Sequence, residues 1–443
     1  MKPLTPRFDS EAIEPPIDPY LPQNGNRGFK VSRYELELEY RVSANRLAGK
    51  ATVSAVTVSP LQKFSLDFGP ALSASKVTVN GSRASKYTHR DGKLTISLSK
   101  PLATGAPFVV VVAYNGNPQP IRGLWGQVGW EELTEGSLVA SQPNGAASWF
   151  PCDDHPSSKA SYRISITTDS PYFAVANGTL VRKQTKSSRT TWVYDQPEPM
   201  ASYLATIQIG PYEKHTIQSE TVPISAVLPS RLLPSYAHDF GRQAEMMDVF
   251  VRLYGPYPFA DYTVVVTDDE LEIPIEAQGI STFGANHCDG TRRYERLVAH
   301  ELAHQWFGNS LTLGRWRDIW LHEGFACYSE WIWSENSGGP SAHSRATRAH
   351  ALQAALPMDI VLADPGPESM FDDRVYKRGA LAVHALRRKV GDEKFFALIQ
   401  EWTDKFRYST VVTADFTDLA SRYGTTAAFW DPWLNGTRLP KMP

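Results

Sequence analysis

The 443-residue chain sets 45 Lys and Arg against 47 Asp and Glu, a formal net charge of -2, with 42% hydrophobic and 21% charged residues. That balance is the composition of a globular chain long enough for roughly two to three domains. No block of Lys or Arg stands out, which excludes a nucleic-acid or anionic-membrane binder built on basic charge.

The first 25 residues are rich in proline and lack the apolar core of a signal peptide, so they read as an irregular lead-in. No apolar run approaches the roughly 20 residues that span a bilayer. The chain is therefore expected to stay in the cytoplasm, off the membrane, with a monomer favoured. Cys152, Cys288 and Cys327 are widely spaced and cannot all pair, so they are expected to be reduced or buried thiols.

Residues 26–215 read as a β domain. Tyr34, Leu36, Leu38 and Tyr40 alternate with Glu35, Glu37 and Glu39, the period of a half-buried strand. Similar runs follow at 52–58, 77–79, 94–98, 109–112 and 164–166, with turn signals at Asn80-Gly81, Asp91-Gly92 and Asn115-Gly116. Strands at this spacing, with no helical pattern between them, predict an antiparallel β-sandwich or curved antiparallel sheets.

Residues 216–443 form a second domain of different character. A helical pattern runs from about 235 to 253 and stops at Gly255-Pro256, and a strand-like run follows at 262–266. A further helix is expected over about 292–307, ended by Gly308. Beyond Asp318 the chain reads mainly as helices.

Inside the 292–307 helix stands His300-Glu301-Leu302-Ala303-His304. Residues four apart share a helix face, so both imidazoles can reach one zinc ion. Glu301, beside the first ligand, can act as general base toward water at the metal. Nineteen residues after His304, Glu323 on a second predicted helix can complete a two-His, one-Glu site with a position left open for water. Asp318 reads equally as a partner orienting a ligand histidine and as an acid favouring a helix start. Adjacent helical residues diverge by about 100°, so His322 reads as a neighbour of the site rather than a ligand.

These residues lie within a longer match. His304-Gln305-Trp306-Phe307-Gly308-Asn309, the spacer to Glu323-Gly324-Phe325-Ala326, and Glu330 seven residues on resemble the aminopeptidase N family of gluzincins. So do Phe150-Pro151-Cys152-Asp153-Asp154, Pro199-Met200-Ala201-Ser202-Tyr203-Leu204, Tyr257-Pro258-Phe259 and Val375-Tyr376-Lys377-Arg378-Gly379-Ala380. The family includes leukotriene hydrolase, and the match covers most of residues 140–395. It implies a saddle-shaped β domain followed by a thermolysin-like catalytic domain, one zinc ion and peptide substrates. It also implies that Tyr376 stabilises the oxyanion, and it places Glu330 beside Asp318 among the residues around the ligands.

Two features depart from the family. Members that trim amino termini carry Gly-x-Met-Glu-Asn, whereas the matching stretch here is Pro274-Ile275-Glu276-Ala277-Gln278-Gly279. Aligning on Gly279 puts Glu276 on the amine-binding glutamate and Gly279 among the substrate-binding residues, with Gln142 on a second amine-contacting position. Glu270 and Glu272 are nearby but do not align. The second departure is length: about 120 residues follow Glu323, so the long helical domain of larger relatives is expected to be absent and the cleft open. The reading is a zinc aminopeptidase. An endopeptidase lacking the amine anchor, a leukotriene-type epoxide hydrolase and a non-catalytic zinc-stabilised binding protein stand as alternatives.

Overall fold

The alternation at Tyr34–Tyr40 becomes strand β1 (Phe29–Arg41), with its tyrosines and leucines buried and its glutamates in water. In this computed structural model, which describes residues 17–442, β1 lies mid-sheet in an eight-stranded layer. It pairs antiparallel with β2 (Arg46–Thr57) and parallel with the strand Lys159–Asp169. The layer is therefore mixed rather than wholly antiparallel, because the intervening strands supply the long crossover that parallel pairing needs. A five-stranded sheet includes the hairpin of β3 (Gly126–Leu133) and β4 (Gly136–Ala140), which leads directly to Gln142.

Asn80-Gly81 and Asp91-Gly92 close hairpins, with positive φ at both residues of each pair. Asn115-Gly116 does not turn. It ends the strand Pro107–Gly116, where a Cβ on Gly116 would lie 2.3 Å from the Ala71 carbonyl oxygen, so glycine is needed for close approach.

The second domain opens on a sheet of β5 (Glu213–Ile217), β6 (Ile224–Leu228), β7 (Tyr262–Val266), β8 (Ile275–Ala277) and β9 (Ile280–Phe283), ordered β5-β6-β7-β9-β8. Residue 215 lies within β5, the first strand of this sheet. The helix expected over 235–253 is two, α1 (Leu233–Asp239) and α2 (Gln243–Tyr254), broken around Gly241. After α3 (Glu295–Ala303) come α4 (Trp320–Asn336), α5 (Ala342–Ala354) and α6 (Asp373–Val390). Three more follow, α7 (Asp392–Lys405), α8 (Thr413–Ser421) and α9 (Ala427–Leu434). Among the described residues no helix is long and apolar enough to cross a membrane. The three cysteines are buried and unbridged.

Several contacts tie the domains. The Lys159 ammonium donates to the carbonyls of Asn309 and Ser310, and the Trp125 indole donates to the Pro367 carbonyl at 2.8 Å. The lead-in contributes a clasp, its first 16 residues lying outside the described part. Asp18 accepts from the Trp316 N–H at 2.7 Å, and the Tyr20 hydroxyl meets Asp364 and the Gly366 N–H.

Near this junction Asp67, Asp153 and Asp154 are buried together with Lys93 as the cation. Asp154 accepts from Ser202 at 2.7 Å, while its other oxygen has no hydrogen-bond partner. Burial pushes its carboxyl up to about 8, helped by the charge of Asp67. An acid protonated in the folded chain but ionised above about pH 4 when unfolded costs stability as pH rises. The contribution is present below pH 4 and is lost by about pH 8. Asp154→Asn is therefore expected to unfold at higher temperature than wild type at pH 8–9, the gap closing toward pH 4. Thermal melts across pH check this, and a parallel pair of curves would contradict it.

Candidate active site

α3 is shorter than the sequence pattern suggests, yet His304 keeps a helical backbone as its C-terminal cap and donates its N–H to the His300 carbonyl at 3.2 Å. The i, i+4 geometry therefore survives. Glu323 sits in the first turn of α4. Its Oε2 lies 3.3 Å from His300 Nε2 and 3.4 Å from His304 Nε2, and all three residues are buried.

The ring hydrogen bonds fix what these atoms offer. His304 Nδ1 faces the Phe307 carbonyl at 3.0 Å, and a carbonyl can only accept, so this nitrogen carries the proton. His300 Nδ1 donates to Glu330 at 3.0 Å. The other ring nitrogen of each, Nε2, faces a Glu323 oxygen, so two imidazoles and a carboxylate converge in a donor set that suits zinc. Burial would raise the Glu330 carboxyl, but the His300 hydrogen bond, Lys377 and Arg296 hold it down to about 2, so it stays an acceptor.

α6 reaches the site through backbone contact. A Cβ on Gly379 would come 2.7 Å from the Gly324 Cα, and one on Gly324 would come 2.8 Å from the Gly379 Cα. That approach carries Tyr376, one turn earlier on α6, to a position parallel to the His300 ring, with centroids 6.2 Å apart. Burial, then the charges of Glu323 and Glu276, hold its phenol well above the ordinary value, leaving it a proton donor.

Glu301 is buried, and its Oε2 has no hydrogen-bond partner. Burial pushes its carboxyl up to about 7 against the pull of the two imidazoles. Oxygens of Glu301 and Glu276 and a nitrogen of His304 lie within 4.8 Å of one another. Gln142 Nε2 donates to Glu276 Oε1 at 2.7 Å, so two residues placed 134 positions apart meet beside Glu301 and His304.

Other expected site residues lie elsewhere. Asp318 orients neither histidine: its Oδ1 accepts from the Thr413 N–H and hydroxyl at the start of α8, 3.1 and 2.6 Å away. Gly279 is a turn residue at φ +76, its N–H bound to Gln305 and its carbonyl to Thr263, so that N–H is not free for a substrate. Glu270 and Glu272 sit exposed on the preceding loop. His322 accepts from the Leu313 N–H at 2.8 Å through its Nε2. The sequence reading missed Phe307, whose backbone does the orienting, and the cations Arg296 and Lys377 on Glu330; no side-chain signal marks a carbonyl.

A model described as the Peptidase M1 N-terminal domain matches residues 30–204, and one described as the Peptidase family M1 domain matches residues 239–433. The chain is 28% identical to human endoplasmic reticulum aminopeptidase 1 over 74% of its own length and 38% of that protein's. It is 27% identical to a leucyl aminopeptidase of Saccharolobus solfataricus, over 66% and 40% respectively. It thus spans less than half the length of the curated relatives it matches. The fold matches a solved M1 zinc metallopeptidase from Deinococcus radiodurans with TM-score 0.87 and 30% identity, over 96% of this chain and 98% of that one. A mutant M1 zinc metallopeptidase from that organism, bound to a Tyr-Ser-Ala substrate, matches with TM-score 0.88 and 30% identity over the same shares.

Proposed function

The chain belongs to the M1 peptidase family, and from that premise we propose that it is a zinc aminopeptidase acting on peptides with a free amino terminus. The observation that carries this reading is the second acid beside the ligand triad, Glu276, grouped with Glu301 and His304 within 4.8 Å. A carboxylate there pairs with an ammonium ion and positions the first peptide bond. Solved relatives bound to a short peptide and to single amino acids support the substrate class.

His300, His304 and Glu323 would hold the zinc. When bound, zinc supplies a Lewis acid that polarises the scissile carbonyl and acidifies water. Glu301 takes the proton from the attacking water and returns it to the leaving amine. Tyr376 donates a hydrogen bond to the oxygen on which negative charge develops. Glu276 accepts the substrate ammonium, and Gln142, its amide N–H spent on Glu276, presents its carbonyl oxygen to the same group. Glu330 and the Phe307 carbonyl hold the imidazoles in the tautomer a metal ligand needs.

The test compares one short peptide with free and with acetylated amino terminus, each with and without chelator. Strong preference for the free amine, abolished by chelation and restored by zinc, is the expected result. Equal cleavage of both forms would overturn the amine anchor and indicate an endopeptidase, and chelator-resistant cleavage would overturn the metal role.

A further inference from the structure

β8, which carries Glu276, is a three-residue edge strand paired only with β9. So short a strand gains little from its own ladder. Its other side is held by side chains from the segment that follows the metal helix. Gln305 Nε2 donates to the Ala277 carbonyl at 3.1 Å, and Gln305 Oε1 accepts from the Gly279 N–H at 2.8 Å. Asn309 Nδ2 donates to the same Ala277 carbonyl at 2.9 Å. Gln305 and Asn309 are fully buried, and the Asn309 carbonyl is itself bound by Lys159 of the β domain.

Gln305 directly follows His304, and Ala277 directly follows Glu276. The carboxylate on the amine side and the ligand on the metal side are thus joined through two peptide units and one side-chain clamp. A substrate's ammonium nitrogen and first carbonyl carbon are separated by a single Cα. Their spacing cannot stretch to follow a displaced anchor, and a misplacement of about 1 Å can cost roughly 10²-fold in rate.

We propose that Gln305, backed by Asn309, is the positioning residue that sets the distance from Glu276 to the hydrolytic centre, and so fixes cleavage one residue from the amino terminus. This rests on the aminopeptidase reading above. The clamp needs a donor and an acceptor at one side-chain end, which the amide of glutamine provides and a carboxylate or hydrocarbon does not.

The experiment measures kcat and KM of wild type, Gln305→Leu and Gln305→Glu on the free and acetylated forms of one peptide, with bound zinc and melting temperature for each. Gln305→Leu is expected to lose about 10²-fold in kcat/KM on the free-amine peptide. Zinc content and the slow cleavage of the acetylated peptide should hold. Gln305→Glu keeps the acceptor for Gly279 and should fall between. An unchanged free-to-acetylated ratio in both variants overturns the proposal, as does an equal fall on both peptides accompanied by zinc loss. If Gln305→Leu does not fold, Gln305→Glu and Asn309→Ser carry the same comparison. Failure of wild type itself to discriminate removes the aminopeptidase reading, a result distinct from a variant that keeps wild-type selectivity.

Discussion

Glu301→Gln is expected to lower kcat by about 10²–10⁴-fold, the usual worth of a positioned general base, with the zinc retained. Glutamine matches the shape of the buried side chain, whose Oε2 has no hydrogen-bond partner to lose. It cannot, however, accept a proton from water. Glu301 lies outside the triad of His300, His304 and Glu323, although it groups with His304 and Glu276. Metal analysis alongside kinetics separates the roles: zinc kept with rate lost is a base, and zinc lost with the rate is a ligand. A variant retaining activity within about tenfold would place the base elsewhere.

Tyr376→Phe is expected to reduce kcat and kcat/KM together by about 10²–10³-fold, the cost of one lost oxyanion donor, with little change in KM. The substitution keeps the ring that lies parallel to His300 and removes only the hydroxyl. An interaction made only in the transition state gives this pattern, whereas loss of a ground-state contact would raise KM instead. A raised KM at unchanged kcat would therefore make Tyr376 a substrate-binding residue and not a stabiliser of developing charge.

The grouping of His300, His304 and Glu323 is legible in the sequence because helix geometry converts a four-residue spacing directly into a shared face, and Glu323 opens the next buried helix. Glu276 and Gln142 carry no local signal in the sequence; only the family resemblance relates them, and the fold joins them by a hydrogen bond. Asp318 is ambiguous in the sequence because an acid before a helix has several uses, and the start of α8, ninety-five residues later, claims it. Gln305 and Asn309 stood in the motif without a role, since their partners lie on a strand that only the tertiary fold sets beside α3. The mixed pairing of β1 was illegible for a related reason: alternation reports which face is buried, not the direction of the neighbouring strand.

The clasp at Asp18 and Tyr20 has a consequence for synthesis on the ribosome. Its partners are Trp316, 298 positions later, and Gly366, 346 positions after Tyr20. At about 5–20 residues per second, Asp18 emerges roughly 15–60 s before Trp316, 298 positions later. The β domain can pair its strands in that interval, but Asp18 and the Tyr20 hydroxyl stay hydrated until the catalytic domain arrives. Closure of the clasp is thus a late event, and a chain halted before residue 316 cannot make it.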